Sequence, residues 1–373
     1  MIRKSHGVAL AALAMAATGA FAQSTVNIYG ILDAGFGSFH TFDVTTGGIA
    51  TKHNTQVNSG LMDASFIGFR GSEDLGGGNK AIFSLESYLD VTNGTASGGG
   101  DRGIVGTGSG SSAFWGRNTF VGLEGGYGRV TLGHTDSLAY QAATAYNSFG
   151  ASDYFGVARL AFDALPVTAT GVTIPGTALD QGWSKVITYT SPDMSGFNVA
   201  AQYAPKSDQN AEGSNWGLAG NYNNGPLGLN ATYEQMRRPF DKTVDPSGAK
   251  DKVWLLNGSY DFSVVKAFLQ FGQNKTSATG VLATKDKLLD LGVSAPVGAS
   301  GTVMANFGQR KSTVQSTPGS VQLRDFSVGY DYSLSKRTFV YASLLNERLK
   351  VDTGAGSASK SGNTFAVGVH HSF

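Results

Sequence analysis

The dominant hydropathic period along the chain is two. Phe197, Val199, Ala201 and Tyr203 are apolar and alternate with Asn198, Ala200 and Gln202, which are small or polar. The same rhythm runs through Leu227–Glu234, Val265–Gly272, Phe326–Tyr332 and Thr364–Phe373. Successive side chains of a strand point to opposite faces, so strict alternation means strands with one apolar and one polar face. A soluble sandwich would use strands of about 5–6 residues around a core dense in Val, Ile and Leu. Here the alternating segments run to about ten residues, the length that crosses a bilayer obliquely. Their apolar faces often end in Tyr, Phe or Trp, as in tilted membrane strands with aromatic girdles at both interfaces.

The connections alternate short and long. Short ones fall at Glu73–Asn79, Gly125–Tyr127, Ser191–Gly196, Asn223–Pro226, Asp261–Ser263, Ala295–Ser300 and Ser333–Arg337. Long polar ones fall near 37–60, 91–111, 135–182, 205–214, 236–250, 273–285, 311–321 and 348–362. Seven turns and eight loops join sixteen strands. The pattern predicts an all-β fold, a transmembrane antiparallel β-barrel with short periplasmic turns and long external loops. An even count lets the first strand, near Ser24–Phe36, close antiparallel on the last, Asn363–Phe373, which removes the sheet edges. The third loop, about 135–182, holds Tyr146, Phe149, Tyr154, Phe155, Leu160 and Phe162. Loops this long are usually functional or disordered. Aromatic content of that kind needs burial, and the barrel lumen is the nearest place; a neighbouring subunit is the alternative.

The N-terminus has a different texture. Arg3 and Lys4 precede an apolar run from Gly7 to Gly19, followed by Ala20-Phe21-Ala22. This is the layout of a secretory signal peptide, residues 1–22, cleaved to leave a single domain over 23–373. Read as a membrane anchor, the run is too short, since a helical span needs roughly 20 residues. Removing Arg3 and Lys4 from 28 basic residues leaves 26 against 27 acidic ones, a balance that argues against a nucleic-acid partner. Cysteine is absent, which excludes thiol chemistry and cysteine-based metal sites. No stretch after residue 22 offers 18 apolar residues in a row, so no transmembrane helix is expected. A closed barrel pairs every backbone polar group and enters a bilayer without such a run.

Several segments, taken in order, resemble the general porins of Gram-negative bacteria, in look nearest those of β-proteobacteria. They are Ala64–Gly78, Ala81–Glu86, Gly116–Leu123, Tyr127–Gly133, Tyr189–Pro192 and Tyr332–Thr338, with Phe373 in the position of the assembly signal of outer-membrane barrels. The resemblance spans the chain after the leader. It implies a homotrimer in the outer membrane, in contact with lipid, lipopolysaccharide and the outer-membrane assembly machinery. Each barrel would be a passive diffusion pore for ions and small hydrophilic solutes, narrowed by its inward-folded third loop. It also implies basic wall residues facing acids of that loop. Arg117 and Arg70 match wall positions, Arg159 matches the basic residue late in the loop, and Asp153 and Asp163 are the candidate acids. Phe66 and His134 stand where relatives often carry Arg, and the Pro-Glu-Phe-Gly-Gly loop motif of enterobacterial porins is missing.

Alternation adds its own assignments. With Ile67 and Phe69 facing out, Arg70 faces in; with Ala81, Phe83 and Leu85 out, Lys80, Ser84, Glu86 and Tyr88 face in; with Val130 and Leu132 out, Arg129 and Thr131 face in. A charge on the lipid face costs about 2–4 kcal/mol near the midplane, which favours these phases. Around Arg117 the pattern leaves the phase open. More bases than acids among these candidates implies a weak anion preference. The alternatives are a substrate-specific channel with Tyr88, Tyr154 and Phe155 as a track, and a non-conducting adhesin or receptor barrel. No enzyme, cofactor or metal site is expected. Gly98–Gly103 has a dinucleotide spacing but opens no helix, and His370 and His371 point to opposite faces.

Overall fold

The computed structural model describes residues 25–45, 48–96, 114–152, 154–156, 182–206, 214–238, 249–277, 283–314 and 318–373. The expected leader, residues 1–22, lies outside the described residues. From the N-terminus the strands are β1 (Thr25–Thr45), β2 (Gly48–Ser59), β3 (Phe66–Gly76), β4 (Asn79–Asp90), β5 (Thr95–Ala96), β6 (Thr119–Gly125) and β7 (Gly128–Asp136). A short helix, α1 (Leu138–Ala145), follows. Then come β8 (Gly182–Thr190), β9 (Phe197–Ala204), β10 (Asn215–Asn224), β11 (Leu227–Arg238), β12 (Ala249–Asp261) and β13 (Lys266–Ser277). The chain ends with β14 (Thr284–Val297), β15 (Gly301–Val314), β16 (Ser320–Ser333), β17 (Thr338–Asp352) and β18 (Ser357–Ser372).

Every ladder is antiparallel; β1 pairs with β3 past β2, β4 pairs with β6 past β5, and β1 closes on β18 from Ile31↔Ser372 to Ser38↔Phe365. β2 and β5 take no separate place in the wall, which leaves a closed barrel of sixteen strands. The seven short connections sit where glycine and polar turn residues placed them. Gly225 in the β10–β11 turn, for example, has φ +55°, a left-handed conformation that glycine adopts without strain.

The barrel is inside-out relative to a soluble domain. Large apolar residues such as Leu344 (54% exposed), Phe326 (51%) and Val121 (59%) point outward, while Glu234, Asp290 and Glu347 are fully buried inside. Two apolar clusters also lie within the wall. One gathers Ala139, Tyr140 and Ala143 of α1 with Trp183, Val253, Leu255, Leu323 and Leu349. The other gathers Phe149 and Phe155 with Phe39, Leu61, Met304, Tyr341 and Leu345.

Segment 37–60, read from sequence as a loop, is instead a hairpin. β1 runs for 21 residues, and from Ala34↔Ser59 to Thr45↔Gly48 its free edge is taken by β2. Lys52–Gln56 shows no apolar alternation and is exposed, yet its ladder with β1 is satisfied. Phe42, Val44 and Ile49 pack against the first apolar cluster. The loops expected at 311–321 and 348–362 shrink likewise, because β15 to β18 continue beyond the point where apolar residues stop.

Candidate functional site

The site begins where the third loop leaves β7 and turns into the barrel. Ser137, fully buried, caps α1 by accepting a hydrogen bond from Tyr140 N at 3.1 Å. The next free amides of the helix start are taken by the wall: Leu138 N donates to Gln202 Oε1 on β9 (3.2 Å) and Ala139 N to Glu234 Oε1 on β11 (2.8 Å). A carboxylate at a helix N-terminus satisfies an orphan donor and meets the positive end of the helix dipole. At the other end Gln270 Nε2 on β13 donates to both Ala143 O and Tyr146 O, each at 2.8 Å.

The segment then continues along the wall. Ser148 Oγ donates to Ala305 O of β15 at 3.1 Å. The Phe149 ring lies over Gly329 of β16, where a Cβ would come within 2.6 Å of it, so only glycine lets the ring approach. Ser152 Oγ donates to Leu61 O (2.7 Å), and Asn58 Nδ2 donates to Tyr154 Oη (3.3 Å). The described part of the loop therefore runs across the inner faces of β9 to β16 to the β2–β3 connection, bonded to wall residues along the way.

The remaining arc, β1, β3, β4, β6 and β7, borders an open chamber of about 460 Å³. Its lining includes Asn27, Tyr29, Arg70, Glu86, Asn118, Phe120, Glu124 and Arg129. Arg70 lies over the Tyr29 ring, 4.4 Å from its centre, and Arg129 lies 5.1 Å from the centre of Phe120. Among the described residues neither has a carboxylate at ion-pair distance. Arg117 is held differently. Its Nη1 pairs with Glu86 Oε2, its backbone N donates to Glu86 O at 3.2 Å, and its guanidinium covers the Phe66 ring at 4.1 Å. Tyr29 Oη donates to the other Glu86 oxygen, and Asn118 Nδ2 reaches both Glu86 Oε2 (3.3 Å) and Asp136 Oδ2 (3.0 Å). Burial disfavours the Arg117 charge, but the Glu86 carboxylate, with Tyr88 and Asp136 behind it, outweighs this and raises its pKa.

Of the residues singled out from sequence, Arg70, Glu86, Arg117 and Arg129 thus come to one side of the lumen. Lys80 is exposed at the periplasmic rim, in register with Asp74 on one side and Glu124 on the other. Asp153, Arg159 and Asp163 lie outside the described residues. Sequence reasoning passed over Tyr29, Asn118, Gln202, Glu234 and Gln270 as site residues, and marked Phe66 only as a departure from relatives. An inward polar residue in an alternating strand was the one signal for Glu234 and Gln270, and it is shared by every wetted wall position.

Over residues 9–352 the chain matches the family described as Gram-negative porin. It is 30% identical to outer membrane porin protein 32 of Delftia acidovorans, over 99% of this chain and 100% of that protein. It is 28% identical to the major outer membrane protein P.IB of Neisseria lactamica, over 98% of this chain and 99% of that one. Among solved structures it superposes on an anion-selective porin from Comamonas acidovorans with a TM-score of 0.73 at 25% identity, covering 94% of this chain and 100% of that one.

Proposed function

The chain belongs to the Gram-negative porin family, and on that premise we propose how its lumen sorts solutes. It is a passive diffusion pore in the bacterial outer membrane. In our reading Arg70, Arg117 and Arg129 form one side of the constriction, and the loop, with Asp153, Arg159 and Asp163, forms the other. Passage is limited by size, and the field across the gap favours small anions. The observation that carries this is the state of the two walls. Arg70 and Arg129 present unpaired guanidinium groups to the chamber, whereas Glu234, Asp251, Asp290 and Glu347 of the opposite wall are buried. Charge focused in a narrow, partly low-dielectric passage acts more strongly than in bulk water. The anion-selective Comamonas porin is a neighbour consistent with it. A planar-bilayer recording in a salt gradient tests the reading: the reversal potential takes the anion sign at low salt, and a cation sign overturns it.

The assembly is a homotrimer in this reading. On β3, β4 and β6 the outward residues Ile67, Phe69, Ala81, Phe83, Leu85, Val121 and Leu123 carry no charge, which suits a subunit interface. Light scattering in mild detergent that returned a monomer would refute it. Phe373 serves as the assembly signal. It also seals the seam, since Gly30 N donates to Phe373 O (3.3 Å) and Phe373 N to Gly30 O (3.1 Å). Its deletion should lower the yield of heat-modifiable barrel. The secreted chain begins at Gln23, which mass spectrometry of the extracted protein reads directly.

A further inference from the structure

A row of inward polar side chains runs straight across the covered side of the barrel. Asn198, Asn221, Asn230, Asn257, Gln270 and Asp290 stand directly opposite one another in turn, from β9 to β14. Their amides hydrogen-bond in one direction. Asn221 Nδ2 donates to Asn198 Oδ1 (3.0 Å), Asn230 Nδ2 to Asn221 Oδ1 (2.7 Å) and Asn257 Nδ2 to Asn230 Oδ1 (2.8 Å). Thr232 Oγ1 also donates to Asn230 Oδ1 at 3.0 Å, which sets the direction of the run.

The run stops at Gln270. Both hydrogens of its Nε2 go to the third loop, to Ala143 O and Tyr146 O. From the other side, Asp290 Oδ2 accepts from Asn306 Nδ2 of β15 at 2.7 Å. Asn257 Oδ1, Gln270 Oε1 and Asp290 Oδ1 are left without a donor among the described residues. Asn257 is 5% exposed, and Gln270 and Asp290 are fully buried. Among the described residues Asp290 also meets no cation at ion-pair distance; the buried Arg310 pairs with Asp286 instead. The spare donor of the overlying loop, Asn147 Nδ2, is turned to Gly156.

The hydrogen bonds bring these acceptors together. An amide carries its oxygen and nitrogen on opposite sides, so Asn257, whose nitrogen faces β11, turns its oxygen toward β13. Asp290 has one oxygen on β15 and turns the other toward β13 as well. Gln270 stands between them on β13. Neighbouring strands lie about 4.8 Å apart, so the flanking side chains lean toward each other across roughly 10 Å. A hard cation, which takes oxygen ligands at about 2.3–2.6 Å, reaches both and Gln270 as well. A buried carboxylate with no counter-charge is strongly unfavourable. A proton on Asp290 would serve one acceptor, and a water would serve two and leave the charge. A cation serves all three and neutralises the carboxylate. One carboxylate and two neutral amides match a single positive charge. Among the described residues no three carboxylate or imidazole groups gather as a transition metal requires.

We propose that Asn257, Gln270 and Asp290 hold a monovalent cation of sodium size behind the third loop. The ion orients Gln270 through Oε1 while Nε2 holds the loop. The same loop covers the site, with Ser148 Oγ 3.4 Å from Asn306 Oδ1 and filling the space over Gly292. The ion thus fastens the loop to the wall and stands apart from the ions that pass through the chamber. The proposal rests on the barrel and its covered arc, and is independent of which ions the lumen prefers.

The test uses the full mature protein in neutral detergent at one ionic strength, in sodium chloride or in N-methylglucamine chloride, whose cation is too large to be buried. Unfolding temperature is followed against sodium concentration. Crystals soaked in thallium(I) acetate locate a monovalent ion by its anomalous scattering. The expected result is a saturable rise of several degrees with sodium, as for any ligand that binds only the folded form, and a thallium peak between β12 and β14. Asp290→Asn keeps the shape and removes the charge, so it should lose both the peak and the sodium-dependent rise. Glu73→Gln, exposed near the end of β3, is the charge-matched control and should keep both. The reversal potential should be the same in wild type and Asp290→Asn, because a carboxylate neutralised by its ion and an amide carry equal charge. A failure of the reading of the lumen would show in the sign of the wild-type potential and leave this result untouched. Equal wild-type unfolding temperatures in the two salts, or no thallium peak, overturns the proposal whether or not the variant folds. A sodium-dependent rise that survives in Asp290→Asn also overturns it, as does a shift of that variant toward anions, since the carboxylate would then have carried an uncompensated charge.

Discussion

The two arcs of the inner wall share one alternating pattern and put it to different uses. On β3 to β7 the inward residues Arg70, Phe120, Glu124 and Arg129 border the open chamber. On β9 to β15 the inward residues Gln202, Glu234, Gln270 and Asn306 are buried, and the first three donate to or accept from the loop backbone. The difference lies in what passes over them. An inward polar side chain is either wetted and able to act on a solute, or it replaces water as the partner of a buried backbone group. Selectivity belongs to the first arc and the shape of the passage to the second.

The largest effect should come from Arg117→Glu, which sets a second carboxylate against the buried Glu86. Losing one partner of a buried pair costs about 3–5 kcal/mol, so the folded form should refold at lower urea. The channels that do form should shift their reversal potential toward cations. An unchanged midpoint and unchanged selectivity would place Arg117 off the open arc. Next is Glu234→Ala, on the covered arc. It leaves Ala139 N without its acceptor, a loss of about 1–3 kcal/mol. We expect noisier, larger single-channel currents with the charge preference retained; quiet wild-type currents would mean the loop is held elsewhere. The smallest effect is Arg129→Gln, an exposed cation. It should reduce the anion preference at 0.1 M salt, where the Debye length is about 10 Å, and change nothing near 1 M, where it is about 3 Å. A change that survives high salt would show Arg129 acting by shape, which would blur the distinction between the arcs.

The architecture was legible because a barrel repeats one local rule. Glycine-rich turns such as Gly76–Gly78 and the phase of Val130 and Leu132 against Arg129 and Thr131 follow from neighbouring residues. Apolarity, however, reports the membrane and says nothing of where a strand stops. Lys311, Arg324 and Arg348 end the apolar faces while their ladders continue, and for the same reason the β1–β2 hairpin read as loop. The Arg117–Glu86 pair was illegible for another reason. It joins residues 31 apart across a loop with no period, and it depends on the register of β4 against β6. The choice of Glu234 as partner to the helix start spans 95 residues and leaves no local trace.

The seam between β1 and β18 bears on the order of events during assembly. His40 bonds Thr364 across it (324 apart), and Tyr341 of β17 reaches over β18 to Asp33 (308 apart). Contacts of such sequence separation form slowly, since most of the chain must be ordered before they return any energy. The third loop is anchored to nine-tenths-buried groups inside the wall, so it must be in place before the seam shuts or thread a closed ring afterwards. Phe373, bonded to Gly30, lies at the far end of β18, and closure therefore waits until that strand has been made. A truncated chain would remain an open sheet with two raw edges, which a membrane rejects and a quality-control protease can recognise.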